Sequence, residues 1–123
     1  MSVDIPEKIL LVDDDANNLA ALAGLLRAEG YKVAEACDGS EAAELLKKDD
    51  FDLVLSDVIM PGMDGLQLLE FIRSLSSQLP VLFMSAPGSI NRSQAVEQGA
   101  TDLIPKPFDP EELLSKLKLL LER

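Results

Sequence analysis

The fold is decided by residues 8–15, Lys8-Ile9-Leu10-Leu11-Val12-Asp13-Asp14-Asp15. The first five residues are almost wholly apolar, which is typical of a strand that is buried on both faces of a parallel sheet. Three aspartates follow directly, so the chain changes from apolar to strongly acidic within one residue. The stretch predicts a buried strand with polar residues at its carboxyl end, where ligands bind in open parallel sheets.

Outward from this stretch, apolar strands and helical patterns alternate five times. Strands are predicted at residues 8–12, 31–36, 53–57, 81–84 and 103–104. Helices are predicted at residues 19–29, 41–48, 65–72, 91–98 and 110–121. This alternation predicts an α/β fold in which five helices cover both faces of a doubly wound, five-stranded parallel sheet. We expect the strand order 2-1-3-4-5, which right-handed crossovers allow.

Four of the predicted helix starts carry capping signals, and two of these, Asp38-Gly39-Ser40 and Asp64, precede the second and third helices. Asn17 and Asn18 can cap the first helix, although Asp15 is itself more readily interpreted as a cap than as a ligand. The last helix has the stronger start, with Asp109 as the cap and Glu112 placed to close a capping box. Both helices therefore begin within a few residues of the strands that precede them.

Length and composition predict one domain. The chain has 123 residues, 47% of them hydrophobic, and Cys37 has no second cysteine to pair with. We expect a single domain over residues 1–123, with its core at residues 8–121 and no further domain in this chain. Residues 1–8 hold two acids and no apolar run, unlike a secretory signal. Because no stretch reaches the length of a membrane span, a cytoplasmic location is expected.

The net charge and the absence of histidine argue against several kinds of function. The 22 acidic and 11 basic residues give a net charge of −11, which argues against nucleic-acid binding because phosphate contacts need clustered Lys and Arg. The chain has no histidine, which excludes His-based zinc sites and catalytic sites of the Ser-His-Asp or Cys-His type. For the same reason, this chain cannot itself carry a phosphohistidine and donate its phosphoryl group. The acid excess suits a domain that concentrates carboxylates around a cation.

Polar residues follow four of the five predicted strands. Asp13 and Asp14 follow the first strand, and Asp57 ends the third. Ser85 ends the fourth strand, and Lys106 follows the fifth. In the order 2-1-3-4-5, these four strands are neighbours and the remaining strand lies at the edge. We therefore expect the five side chains to meet at the carboxyl edge of the sheet, where ligands bind.

These side-chain types suit phosphoryl chemistry. Neighbouring carboxylates repel each other, so they either take up protons or hold a cation, and oxygen ligands favour Mg²⁺. One carboxylate can act as the nucleophile while a lysine and a hydroxyl hold phosphoryl oxygens. Taken singly, Ser85 could be a solvated loop hydroxyl and Lys106 an exposed side chain. Taken together, the residues predict a magnesium-dependent site in which an aspartate accepts a phosphoryl group.

Five stretches occur together in an order and spacing that is specific to one family. They are residues 9–15, residues 57–65, Ser85-Ala86, residues 99–102 and Lys106-Pro107-Phe108. Through them, residues 8–121 resemble the receiver domains of bacterial two-component response regulators, of the chemotaxis type. The resemblance implies a flavodoxin-like fold. It also implies a signalling switch, not an enzyme with turnover, that catalyses only its own phosphorylation and dephosphorylation.

The resemblance implies a role for three residues in phosphoryl transfer. Asp57 would accept the phosphoryl group from a sensor histidine kinase or a histidine phosphotransfer protein. Lys106 and Ser85 would contact phosphoryl oxygens, and Ser85 would relay their presence to the surface around the fourth helix and fifth strand. That surface would regulate an output domain or a downstream protein, with no direct contact to nucleic acid or membrane.

The resemblance also implies a magnesium site at the same edge of the sheet. Asp14 and Asp57 would bind Mg²⁺ directly, Asp13 would act through water, and the backbone carbonyl of Ile59 would complete the shell. The peptide bond of Lys106-Pro107 would be cis, and the bond before a proline is the setting in which the cis form costs little.

Two features depart from the family's pattern. Where the family often has an aromatic residue three positions before the lysine, this chain has Leu103, so we expect a packed leucine and no aromatic rotamer switch. The signal would then pass through Ser85 into the fourth helix and fifth strand. Ile59 and Pro87 stand two residues after Asp57 and Ser85, and both are apolar. Because neither can orient an attacking water, a long-lived phosphoryl state is expected.

Two alternatives stay open at this point. Haloacid-dehalogenase-type phosphatases also use a strand-end aspartate with Mg²⁺, and Asp13-Asp14-Asp15 contains their D-x-D spacing. However, Asn17 stands where that family has Thr or Val, Asp102 has no acidic neighbour, and the chain is short for that fold. The other alternative is a receiver-like interaction module that is not phosphorylated. The presence of the key acids and the lysine argues against it.

Overall fold

Strands and helices alternate throughout residues 6–122, which the computed structural model describes. The elements are β1 (Lys8–Val12), α1 (Ala16–Ala28), β2 (Lys32–Ala36), α2 (Gly39–Lys48), β3 (Leu53–Asp57), α3 (Gly65–Leu75), β4 (Val81–Ser85), α4 (Arg92–Glu97), β5 (Asp102–Pro105) and α5 (Pro110–Leu121). Within that range, no helix combines the length and apolar character that crossing a membrane requires. Residues 1–5 lie outside the described residues. That the amino-terminal segment is not a secretory signal therefore stays a prediction.

The five strands form one parallel sheet in the order β2-β1-β3-β4-β5, which confirms the predicted topology. In its register, Val12 at the end of β1 pairs with Ser56 of β3, and Asp57 pairs with Met84 of β4. The next residue of β4, Ser85, pairs with the last residue of β5. The carboxyl ends of these four strands therefore lie side by side at one edge of the sheet.

Helices cover the two faces of the sheet with separate apolar clusters. In β1, Leu10 and Val12 pack into the cluster that also contains α2, α3 and α4. Ile9 and Leu11 point the other way, into the cluster with α1 and α5. All four side chains are fully buried, and burying each stabilises the fold by about 1.5–3 kcal/mol. β1 is thus fixed from both faces, and the aspartates at its end are held with it.

Side-chain caps set where the first and last helices begin. Asp15 caps α1, since its Oδ1 accepts hydrogen bonds from the backbone N–H groups of Asn17 at 2.9 Å and Asn18 at 3.2 Å. The interpretation of Asp15 as a cap is therefore confirmed. The two asparagines lie in the first turn, and the prediction that they cap the helix is wrong. α5 begins as predicted, with the N–H of Asp109 donating to Glu112 Oε1 at 3.4 Å.

The shortest helix is α4, with six residues where eight were predicted. Its cap is Asn91, whose Oδ1 accepts from the N–H of Gln94 at 2.8 Å, while Gln94 Oε1 accepts from the N–H of Asn91 at 2.9 Å. Of its six residues, only Ala95 is buried. Besides this one buried residue, an ion pair between Arg92 at its start and Asp102 of β5 joins α4 to the sheet.

Candidate functional site

Three carboxylates meet at the carboxyl edge of the sheet, as predicted. Asp13 and Asp14 follow β1, and Asp57 ends the neighbouring strand β3. One carboxylate oxygen from each lies within 4.8 Å of the corresponding oxygens of the other two. We call these three residues the aspartate cluster. Asp13 is buried, Asp57 is half-buried and Asp14 is exposed, so the cluster opens to solvent on one side.

Asp13 is the buried and incompletely paired member of the cluster. Its Oδ1 accepts a hydrogen bond from the N–H of Asp15 at 2.9 Å, whereas its Oδ2 is buried with no hydrogen-bond partner among the described residues. Burial raises the pKa of Asp13. The hydrogen bond from Asp15 and the charge of Lys106 act against that rise, and the charges of Asp57 and Asp14 add to it. A buried carboxylate oxygen without a donor is a group that a bound cation would satisfy.

Lys106 brings a positive charge to the cluster. Its Nζ lies 2.9 Å from Asp57 Oδ2, and the two side chains are 25% and 13% exposed. Its backbone N–H donates to the carbonyl of Ser85 at 2.7 Å, which fastens the segment after β5 to the end of β4. The Lys106–Pro107 peptide bond is cis, as expected. One ammonium thus faces three carboxylates, and the cluster keeps an excess of negative charge.

The remaining predicted residues lie around Asp57. Ser85 ends the neighbouring strand and is 4% exposed. Ile59 lies in the loop after β3, and its side chain is 66% exposed. That loop is closed at its base, because Val58 accepts from the N–H of Gly65 at 2.7 Å and donates its own N–H to the end of β4 at 3.3 Å. The structure therefore brings Asp57, Lys106 and Ser85 to one edge of the sheet, and Ile59 follows Asp57 by two residues in the loop after β3.

Gly65 is a residue of the site to which the sequence analysis assigned no role. A Cβ atom at this position would lie 2.5 Å from the carbonyl oxygen of Asp57 and 2.8 Å from Cα of Val58. Since both atoms belong to the backbone, any side chain here would push α3 away from the end of β3. A glycine directly after the helix cap Asp64 is the sequence signal, because a helix start does not itself need glycine there.

A second charged group lies on β5, outside the cluster. Asp102 Oδ1 accepts from Arg92 Nε of α4 at 2.6 Å, and Oδ2 accepts from Lys116 Nζ of α5 at 2.9 Å. Burial acts to raise the pKa of Asp102, but the hydrogen bonds from Lys116, Arg92 and the backbone N–H of Leu103 lower it overall. Leu103 is 3% exposed in the core. The expectation of a packed leucine at that position is confirmed.

Comparison with known proteins gives the family. A sequence model described as the response regulator receiver domain matches residues 9–118 of this chain. The chain belongs to the response regulator receiver family. Over 120 residues, this receiver is 42% identical to the response regulator MprA of Mycolicibacterium vanbaalenii, covering 97% of the chain and 52% of that relative. The chain thus spans about half the length of the curated relatives it matches.

Solved structures of the family have the same fold. A putative response regulator from Chloroflexus aurantiacus aligns with a TM-score of 0.90 and 38% identity, over 97% of this chain and 100% of that one. The chemotaxis response regulator CheY4 of Vibrio cholerae aligns with a TM-score of 0.86 and 32% identity, over 94% and 99%. The receiver therefore has the expected flavodoxin-like architecture.

Membership of the family rules against one of the two alternatives left open by the sequence. Response regulator receivers are signalling switches of two-component systems and not classical enzymes, so the phosphatase alternative is wrong. Receivers of the family interact with sensor kinases and output domains. They typically bind Mg²⁺ at an acidic pocket. The aspartate cluster fits such an ion, because it offers three close carboxylate oxygens and the buried, unpartnered Oδ2 of Asp13.

Proposed function

We propose that this receiver accepts a phosphoryl group on Asp57 in a magnesium-dependent reaction. The observation that carries the proposal is the position of Asp57 at the end of β3, with Lys106 Nζ at 2.9 Å and two more carboxylates beside it. Asp57 is half-buried, so its carboxylate is accessible to a donor while the surrounding protein fixes its direction. The cognate donor in this proposal is a sensor histidine kinase or a histidine phosphotransfer protein in the cytoplasm.

Three side chains perform the transfer in this proposal. A carboxylate oxygen of Asp57 forms a bond to the phosphorus atom of the donor's phosphohistidine, while the bond from phosphorus to the histidine nitrogen breaks and its electron pair stays on that nitrogen. The ammonium of Lys106 stabilises the negative charge on the phosphoryl oxygens, and the hydroxyl of Ser85 donates a hydrogen bond to one of them. Because phosphoryl transfer needs mainly positioning and charge stabilisation, a site of this size is sufficient. Asp57 returns to its free form when water removes the phosphoryl group.

The metal site of the proposal uses the rest of the cluster. Asp14 and Asp57 would bind Mg²⁺ directly, Asp13 through water, and the backbone carbonyl of Ile59 would complete the shell. When bound, the ion neutralises charge on the carboxylates and on the transferred phosphoryl oxygens. The unpartnered Oδ2 of Asp13 supports this assignment, since it leaves one buried acceptor for a metal-bound water.

The output of the proposed switch is the surface around α4 and β5. A hydrogen bond from Ser85 to the phosphoryl group would draw the loop after β4 inward, and α4 follows this loop with a single buried residue. Amide chemical shifts recorded with and without beryllium fluoride, a phosphoryl mimic, are expected to change along α4 and β5. An α4 whose amide shifts do not move would contradict this route.

The proposal includes a slow loss of the phosphoryl group. Ile59 and Pro87 are both exposed beside the site, and neither side chain can hydrogen-bond an attacking water. We expect the phosphorylated form to persist for minutes or longer with Mg²⁺ present. Phosphate release measured over time tests this, and a half-life of seconds would contradict it.

Phosphorylation itself is tested by intact mass. The protein is incubated with acetyl phosphate, with and without Mg²⁺, beside Asp57→Asn and the exposed control Asp50→Asn. The expected result is one phosphoryl adduct on the wild type and on Asp50→Asn, present only with Mg²⁺, and none on Asp57→Asn. An adduct on Asp57→Asn would refute Asp57 as the acceptor, and binding of Mg²⁺ without any adduct would favour a receiver-like interaction module.

A further inference from the structure

A fully buried hydroxyl group lies directly before the proposed acceptor. Ser56 of β3 is 0% exposed, as are the three apolar residues that precede it in the strand. Because a buried hydroxyl needs a hydrogen-bond partner, the partner that the fold provides indicates what the hydroxyl does. Ser56 Oγ donates to the backbone carbonyl of Asp57 at 2.8 Å. The transfer described above does not use this hydrogen bond.

The carbonyl that Ser56 holds lies beyond the paired part of the strand. The pairing between β1 and β3 ends at Val12 and Ser56. In the peptide group that follows Asp57, the N–H is that of Val58, and it donates to the carbonyl of Met84 at 3.3 Å. This peptide group is therefore held at its oxygen by Ser56 and at its nitrogen by β4.

Helix α3 closes over the same carbonyl oxygen. A Cβ atom at Gly65, the first residue of α3, would lie 2.5 Å from the carbonyl oxygen of Asp57, so the helix approaches this oxygen as closely as a glycine allows. The N–H of Gly65 also donates to the carbonyl of Val58 at 2.7 Å. The peptide group after Asp57 is thus enclosed by β3, β4 and α3, and the Ser56 hydroxyl supplies a hydrogen bond to its oxygen.

We infer that Ser56 is a positioning residue for the phosphorylation site. The peptide group after Asp57 fixes the backbone angle ψ of Asp57, and it begins the loop that carries the carbonyl of Ile59. Its orientation therefore affects both the direction of the acceptor carboxylate and the place of a backbone ligand for the metal. The inference rests on the proposed phosphorylation of Asp57, and in it Ser56 acts through the backbone of Asp57, not through contact with the phosphoryl group.

The test compares Ser56→Thr with Ser56→Val, because the two new side chains have nearly the same shape and differ in the hydroxyl. Any crowding that the added methyl group causes is common to both variants. Rates of adduct formation are measured by intact mass at saturating acetyl phosphate and Mg²⁺, and they are expressed per folded molecule. We expect Ser56→Val to react about tenfold more slowly than Ser56→Thr, since small displacements of a reacting group slow a reaction strongly.

The control is Thr101→Val, which makes the same change of hydroxyl to methyl at the opposite edge of the sheet. There, Thr101 Oγ1 accepts from the N–H of Val81, the first residue of β4, at 3.0 Å. Loss of this hydrogen bond should lower the stability of the protein, measured by urea denaturation, and leave the rate per folded molecule unchanged. A purely structural role of Ser56 would give the same result as this control.

A second measurement needs neither transfer nor metal. Without Mg²⁺, the amide hydrogen of Val58 is expected to exchange with solvent about tenfold faster in Ser56→Val than in Ser56→Thr. The reason is that the carbonyl of the same peptide group has lost its donor in Ser56→Val. Hydrogen exchange followed by NMR measures the two rates.

Equal rates of adduct formation in Ser56→Thr and Ser56→Val, or equal exchange of the Val58 amide, would overturn the inference. Ser56→Ala removes the hydroxyl without adding an atom, and it replaces the pair if the larger side chains prevent folding. It should react about as slowly as Ser56→Val, and a wild-type rate in Ser56→Ala would also overturn the inference. A wild type that forms no adduct contradicts the proposed function itself, which keeps the two failures distinguishable.

Discussion

Two acidic groups of this domain lie in opposite electrostatic surroundings. The aspartate cluster holds three carboxylates against the single ammonium of Lys106. Asp102 on β5 is one carboxylate held by two cations, Arg92 and Lys116. Burial raises the pKa of Asp13 in the cluster. Burial also acts to raise the pKa of Asp102, but its hydrogen-bonded cations lower it overall.

The number of cations that face each acidic group is the difference expected between a binding site and a structural ion pair. An excess of carboxylates with an unpartnered buried oxygen costs folding free energy, and a bound cation or a cationic side chain can offset that cost. A carboxylate that is already satisfied by two cations has little to gain from a ligand, and it instead joins the elements that carry its partners. We therefore propose that the aspartate cluster is the functional group of the two, whereas Asp102 joins Arg92 of α4 and Lys116 of α5 to β5.

The largest expected effect comes from replacing Lys106 with methionine, compared with the same replacement of Lys116. Lys106→Met removes the ammonium that faces the phosphoryl oxygens, and it should slow adduct formation from acetyl phosphate by about 100-fold or more. Lys116→Met is the matched control, because Lys116 has the same charge and a similar exposure but pairs with Asp102. The test is the rate of adduct formation in each variant, measured by intact mass at a fixed Mg²⁺ concentration. Equal slowing in both variants would mean that Lys106 acts only through stability.

The next prediction is that two similar substitutions change the free energy of unfolding in opposite directions. Without Mg²⁺, Asp13→Asn should raise the free energy of unfolding by about 1 kcal/mol, because it removes a buried charge that its neighbours repel. Asp102→Asn should lower it by about 1 kcal/mol, because it weakens two partly exposed ion pairs. Urea denaturation of both variants beside the wild type measures these differences.

The stabilisation by Mg²⁺ is also expected to differ between the two variants. Addition of Mg²⁺ should stabilise the wild type and Asp102→Asn, and it should stabilise Asp13→Asn much less, because the charge that the ion would neutralise is gone. If both substitutions destabilise the apo protein by the same amount, the contrast between the two acidic groups does not hold.

The smallest expected effect concerns pH. The pKa of Asp102 is lower in the folded state than its ordinary value of 3.8, so its contribution to stability is present above that value and is lost as the pH falls through the folded pKa. The difference in unfolding free energy between the wild type and Asp102→Asn should be constant from neutral pH to about pH 5. It should then shrink towards zero in more acidic solution. A difference that grows on acidification would reverse the assigned sign.

Much of this fold could be predicted from the sequence, because strand burial and strand ends are local features. The apolar runs located the strands, and the order of the sheet then brought the residues after β1, β3, β4 and β5 to one edge. The capping error at α1 had a local cause, since Asp15, Asn17 and Asn18 are all suitable caps. The structure shows which of the three has the required extended backbone.

What could not be predicted depends on how the helices sit on the sheet. Asp102 meets residues 10 positions before it and 14 after it, on two different helices, and no periodicity in the sequence encodes that meeting. The close approach of Gly65 to the backbone of Asp57 likewise arises from the packing of α3 on the end of β3. The apolar groove lined by α1, the loop after β4 and the segment around Lys106 likewise exists only once these parts of the chain are in place.

The most direct test of the central claim is to locate the phosphoryl group. The protein is phosphorylated with acetyl phosphate and Mg²⁺ and then treated with borohydride, which reduces an aspartyl phosphate to homoserine. Tandem mass spectrometry of the digested chain reads the position of the change. The predicted result is homoserine at position 57 and unmodified aspartate at positions 13, 14 and 102. Reduction at Asp13 or Asp14 with Asp57 intact would contradict the assignment of the acceptor.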